Sequence, residues 1–237
     1  PQTARALPEG EGSEGPAPEQ VESWEEEGVI LGENTERRTE ESKEFVLSDG
    51  TNMIAMYGTP IHYQDEEGKW QEYDNRLTED VTLYSLSEER EYKTQKSDIE
   101  IRLGNKAKAK KLVSIKGKGG ERLSWGYEGA ANQKIEILEE GEGEEEGNEA
   151  YLKLKKIKQE AWYRDAFEEV DLQYIVEPKG VKENLVLKSA RAQKEFILHY
   201  IIDELNAEQV DERTIELKNA EGETIYTLRA PEMRDAA

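Results

Sequence analysis

Apolar and polar residues alternate along much of this chain, and the alternation has the period of a strand. In "DIEIRL", Ile99, Ile101 and Leu103 share one face while charges take the other. "KIEIL" repeats the pattern with Ile135 and Ile137, and "VDLQYIV" sets Val170, Leu172, Tyr174 and Val176 at period two. "NLVLKS", "EFILHYII", "TIELKN" and "TIYTLRAP" continue the series, rich in the branched and aromatic residues that suit a half-buried pleated surface. Turn signals separate these runs. Asp49-Gly50 divides "FVLSDGTNMIAMYG" into a hairpin, "PIHYQDEEGKWQEYDN" (60–75) reads strand, acidic turn, strand, and "EGETI" near 221 supplies another glycine turn. Helical signals amount to a turn or two in 203–213 and one in 87–91. Short strands without alternating helices predict a mainly β fold, one or more antiparallel β-sandwich-like modules with few short helices.

Upstream the texture changes. Residues 1–44 are rich in Glu, Gly and Pro, which predicts an acidic linker or loosely docked arm. The β-rich module then occupies 45–237, with a candidate subdivision near 80–95. Formal net charge is -22, but it is concentrated. Residues 9–27 hold eight Glu and no base, and "EEGEGEEEGNE" (139–149) holds seven more; without them the balance is near -7. Gly-rich runs of one charge cannot bury enough apolar surface to order themselves, so both are expected to be solvated and mobile.

Charge and composition narrow the partners. Phosphate recognition rests on clustered Lys and Arg, so an acidic chain is not expected to bind nucleic acid. The one basic stretch (105–123) alternates with apolar residues as the solvent face of a hairpin would, and its GKGG lacks the spacing of a phosphate loop. No cysteine is present, which excludes disulfides and thiolate chemistry. No apolar stretch approaches 18 residues, so no membrane insertion is expected. "PQTARALPEGEG" and "RAPEMRDAA" both read as cuts through a longer polypeptide.

Candidate chemistry is sparse. His62 and His199 each lie in an alternating run, without the close spacing of a metal pair. No nucleophile elbow, zinc-protease motif or nucleotide loop occurs, and no paired carboxylates announce sugar hydrolysis, so the chain reads as a non-enzyme without a cofactor. Two binding readings remain. Tyr63, Trp70, Tyr73, Trp125, Tyr127 and Trp162 fall at strand ends and turns, where exposed rings would stack on cell-wall or host glycan and buried ones would close two sheets. Asp65, Glu66, Glu67 and Asp74 cluster as calcium-favouring carboxylates do, although the alternating Asp spacing of a calcium loop is missing.

Three stretches carry a family resemblance: "PIHYQDEEGKWQEYDNRL" (60–77), "GERLSWGYEGA" (120–130) and "AWYRDAFEEVDLQYIVEPKGVKENLVLKS" (161–189). In this order they resemble the region upstream of the repeats in RHS/YD-repeat proteins, the wall-associated and polymorphic-toxin family of bacteria. Tyr163, Phe167, Val170-Asp171-Leu172 and Tyr174 match most closely, and the resemblance covers roughly 45–237. Where the family has Pro-Gly before the valine, this chain has Glu168-Glu169, which predicts a looser, more acidic turn. The resemblance implies an extracellular or cell-surface protein. Downstream YD repeats of the same polypeptide would build a β-shell, often with a toxic domain beyond, and this segment would help assemble or cap it.

Overall fold

The computed structural model describes residues 28–80, 91–139 and 147–234. The expected acidic arm up to residue 27, most of the Glu run and most of the 87–91 turn lie outside them.

Strands β1 (Ile30–Glu33), β2 (Ser42–Leu47) and β3 (Asn52–Met56) form an antiparallel three-stranded sheet. The arm therefore does not extend to residue 44. Ile30 and Phe45 are buried, and strand pairing begins where that apolar pattern begins. The β2–β3 turn follows its sequence: Gly50 takes the left-handed conformation, and Asp49 Oδ1 accepts the Thr51 N–H at 2.8 Å. Strands β4 (His62–Gln64) and β5 (Trp70–Glu72) then make the hairpin read from the sequence.

The six-stranded sheet contains β6 (Asp74–Glu79), β7 (Glu91–Lys96), β8 (Glu100–Gly104), β9 (Val113–Lys116) and β10 (Arg122–Tyr127). Because β6 and β7 pair directly, with Leu77 opposite Thr94, the chain does not divide into separate sheets near 80–95. Strands β11 (Glu136–Leu138), β12 (Gln159–Phe167), β13 (Val170–Glu177) and β14 (Gly180–Leu187) make a four-stranded antiparallel sheet. A one-turn helix, α1 (Asn148–Leu152), precedes β12. Strand β15 (Leu198–Asp203) returns to the free edge of the six-stranded sheet beside β10. Finally β16 (Asn206–Asp211), β17 (Thr214–Lys218) and β18 (Thr224–Arg229) form a three-stranded sheet.

The segment 203–213 is thus a strand where the sequence suggested a helical turn. Every side chain of β16 is exposed, so this edge strand carries no apolar alternation to reveal it.

Two cores result. In the larger one, Val170, Leu172, Tyr174 and Val176 of β13, all at zero exposure, pack with Ile101, Leu103, Val113 and Leu123 of the six-stranded sheet. Leu217 of β17 joins the same core. The smaller core holds Ile61, Tyr73 and Ile157, with Tyr57, Tyr63 and Leu154 packed against it. Helix α1 couples the first sheet to the body: Asn148 Oδ1 accepts the Ile30 N–H at 2.8 Å, and Tyr151 meets Phe45 edge to face.

The basic stretch meets the expected hairpin from β9 onward, where Lys116 pairs with Arg122, and departs from it before that. Ala107, Ala109 and Leu112 are buried, so residues 105–111 fold back over β10 before β9 begins. Gly126 makes the close approach possible, since a Cβ there would stand 2.5 Å from the Ala109 carbonyl oxygen and 2.6 Å from that of Lys110.

Candidate functional site

The hairpin of residues 60–75 is built from its own turn chemistry. Asp65 Oδ1 accepts the N–H groups of Glu67 (3.0 Å) and Lys69 (2.9 Å), Oδ2 accepts from Gln71, and Gly68 supplies the left-handed turn residue. Those hydrogen bonds, led by the one from Lys69, hold the Asp65 carboxyl below the usual carboxylate range. Glu67 pairs with Lys69 in solvent, and Asp74 is gripped by the Arg76 guanidinium at 2.7 and 2.9 Å. The structure does not bring Asp65, Glu67 and Asp74 together around a common point.

A different set converges at the base of the same hairpin. His62 faces Glu72 across the β4–β5 pair, and Glu33 enters from the end of β1. One imidazole nitrogen and one oxygen from each carboxylate lie within 4.8 Å of one another. His62 is fully buried, with Nδ1 2.7 Å from the Thr39 carbonyl oxygen. A carbonyl can only accept, so Nδ1 carries the hydrogen and Nε2 presents its lone pair. Among the described residues Nε2 has no hydrogen-bond partner, and a buried acceptor left alone typically costs about 1–3 kcal/mol. Two cations attend the carboxylates: Arg38 meets Glu33 at 2.5 and 2.9 Å, and Lys43 meets Glu72 at 2.5 Å. Burial, helped by Arg38 and Lys43 and opposed by the Thr39 carbonyl, lowers the His62 pKa and keeps the ring neutral at pH 7.

The six aromatic candidates divide by environment. Tyr73 is 3% exposed, donates to Asp98 Oδ1 at 2.9 Å, and lies against half-buried Tyr63 with ring centres 5.1 Å apart. Trp70 is half-buried on β5. Trp162 is half-buried on β12, with the Arg164 guanidinium 3.8 Å above its ring. Trp125 and Tyr127 are each 6% exposed and point at a carboxylate on the neighbouring sheet. Glu183 Oε1 accepts from Tyr174 (2.6 Å), Tyr127 (2.8 Å) and Trp125 (3.3 Å). Burial pushes the Glu183 carboxyl up, and the three donors pull against it. A second link between the sheets runs from Tyr163 Oη to the Gly104 carbonyl oxygen at 2.5 Å.

Glu183, Glu33 and Glu72 escaped the sequence reading because each sits among many other glutamates. The available signals were local: Glu72 falls opposite His62 once the hairpin register is drawn, and Glu183 falls opposite Tyr174 of β13. His199 is exposed on β15, 2.9 Å from Glu128. An open depression at the end of the last sheet is lined by Asp211, Arg213, Arg229 and Glu232, charges of both signs on hairpin termini. Among the described residues no helix is long and apolar enough to cross a membrane.

Fold and site together define an all-antiparallel β module in which Glu183 and Tyr163 tie the two larger sheets to one another. No family model matches the chain, and no solved structure matches it. It is 27% identical over 209 residues to "Wall-associated protein" of Geobacillus stearothermophilus, an alignment spanning 86% of this chain and 75% of that protein.

Proposed function

We propose that this chain is a non-catalytic structural module of a large wall-associated surface protein of the RHS/YD-repeat type. Its role there is to pack against and cap the β-shell built by the same polypeptide. The wall-associated part of the reading is supported by the alignment with the Geobacillus protein, because a fold by itself selects no function, and the RHS/YD-repeat part by the resemblance in 60–77, 120–130 and 161–189. Three further features support it. The alignment spans 86% of the chain, so the likeness is not confined to one motif. The polar residues inside the module, Glu183, Tyr163 and Asp171, are engaged in holding strands and sheets together. Outer faces carry apolar residues, including Leu31, Ile54 and Met56 on the first sheet and Tyr200 and Ile201 on edge strand β15, which more of a larger assembly would cover.

Wall affinity and structural role separate in one experiment: sedimentation of the purified chain with cell-wall preparations, using Trp70→Ala, Trp162→Ala and Trp125→Ala variants. The structural reading predicts that Trp125→Ala lowers the melting temperature and that no aromatic variant selectively abolishes sedimentation. Loss of wall binding in Trp70→Ala or Trp162→Ala at unchanged melting temperature would instead make the module a glycan binder.

A further inference from the structure

We propose that Glu33, His62 and Glu72 form a binding site for a borderline divalent transition metal, with zinc as the reference ion, that clasps the first sheet to the 60–75 hairpin. The proposal stands on the buried imidazole and not on the acids. His62 is shut off from solvent, its Nδ1–H is committed to the Thr39 carbonyl, and its Nε2 lone pair has no partner among the described residues. That is how metal-ligating histidines are held: a backbone carbonyl fixes the tautomer and ring orientation while the other nitrogen is left for the metal. Imidazole nitrogen and two carboxylate oxygens already lie within 4.8 Å of one another, and a modest contraction brings them to the separations of a zinc ligand set. A mixed nitrogen and oxygen donor set selects zinc and its neighbours over calcium and magnesium, which take oxygen.

The three ligands come from β1, β4 and β5, so an ion there would join two small sheets. Arg38 and Lys43 define the competition. They neutralise Glu33 and Glu72 in the metal-free protein, and Lys43 Nζ lies 2.5 Å from Glu72 and 3.7 Å from Glu33. Metal must displace Lys43 from Glu72, so removing that cation should strengthen binding. A purely electrostatic knot would give no such result.

The test is calorimetric titration and thermal melting of the chelator-treated full chain with zinc, calcium and magnesium. One zinc per chain is expected, with a melting temperature raised by roughly 5–10 °C at a hundredfold excess over Kd; calcium and magnesium should leave it unmoved. Glu72→Gln, at a half-exposed position, should fold and bind zinc at least tenfold more weakly, and His62→Gln should abolish binding. Lys43→Met should bind zinc more tightly than the parent. Absence of a zinc-specific event in the parent chain overturns the proposal. So does zinc binding that survives Glu72→Gln undiminished, which would place the ion on the acidic runs, and so does a Lys43→Met variant that binds no more tightly.

Discussion

Glu183 shows how much one side chain decides here. It takes hydrogen bonds from rings on β10 and β13 and so bridges two sheets. Glu183→Ala would leave three donors without their acceptor and is expected to cost roughly 2–4 kcal/mol, read by urea unfolding at pH 7. Glu183→Gln keeps an acceptor oxygen and should cost far less. Its folded pKa is raised, so the ionised form is favoured less in the folded state than in the unfolded one; stability should decline as pH rises from about 4.3 through the folded pKa, and Glu183→Gln should remove that decline. Asp171 has the opposite sign. Burial works against its charge, but Lys188, the Asp165 N–H and Arg164 outweigh it and hold the carboxyl low. Its contribution is present above the unfolded pKa near 4 and lost as pH falls through the folded value. Asp171→Asn should therefore destabilise by roughly 1–3 kcal/mol at pH 7, and the gap from the parent should close in acid.

At the scale of elements, the β12–β13 turn corrects the expectation of a looser loop. Phe167 pairs with Val170, so Glu168 and Glu169 alone make the connection, and Glu169 holds a left-handed φ of 55°. The tight turn survives without glycine because sheet pairing on both sides over-determines it. Glu169→Gly should relieve that conformation and stabilise the chain by about 1 kcal/mol, raising the melting temperature by roughly 2–4 °C. Gly126→Ala should act the other way, losing roughly 2–3 kcal/mol in denaturant unfolding, because the added methyl meets backbone that cannot move aside. Hairpins were the most legible elements. Asp-Gly and Asp-Glu-Glu-Gly fix their turns locally, and period-two runs such as Ile99–Leu103 and Val170–Val176 bury the faces they predict. Strand β16 was illegible because a wholly exposed edge strand leaves no hydrophobic period to read.

For the whole molecule, fold class was legible and assembly was not. Alternation fixes strands and the absence of helical periods fixes the mainly β class, but no local pattern tells β15 to pair with β10 far upstream, setting Tyr200 opposite Trp125. The candidate site divides in the same way. Turn carboxylates were visible as a cluster, whereas the converging set of Glu33, His62 and Glu72 exists only after β1 meets the hairpin. The rings offered by the sequence as a glycan platform include Tyr73, Trp125 and Tyr127, which the fold spends on its interior. What is left outside is an acidic chain with apolar patches on its outer sheets and edges, as suits a module within a larger surface assembly. That account is tested most directly by labelling intact cells that express the native protein with a membrane-impermeant amine reagent and isolating the wall fraction. It predicts labelled chain in the wall fraction before lysis; chain labelled only after lysis and recovered with the cytosol would contradict it.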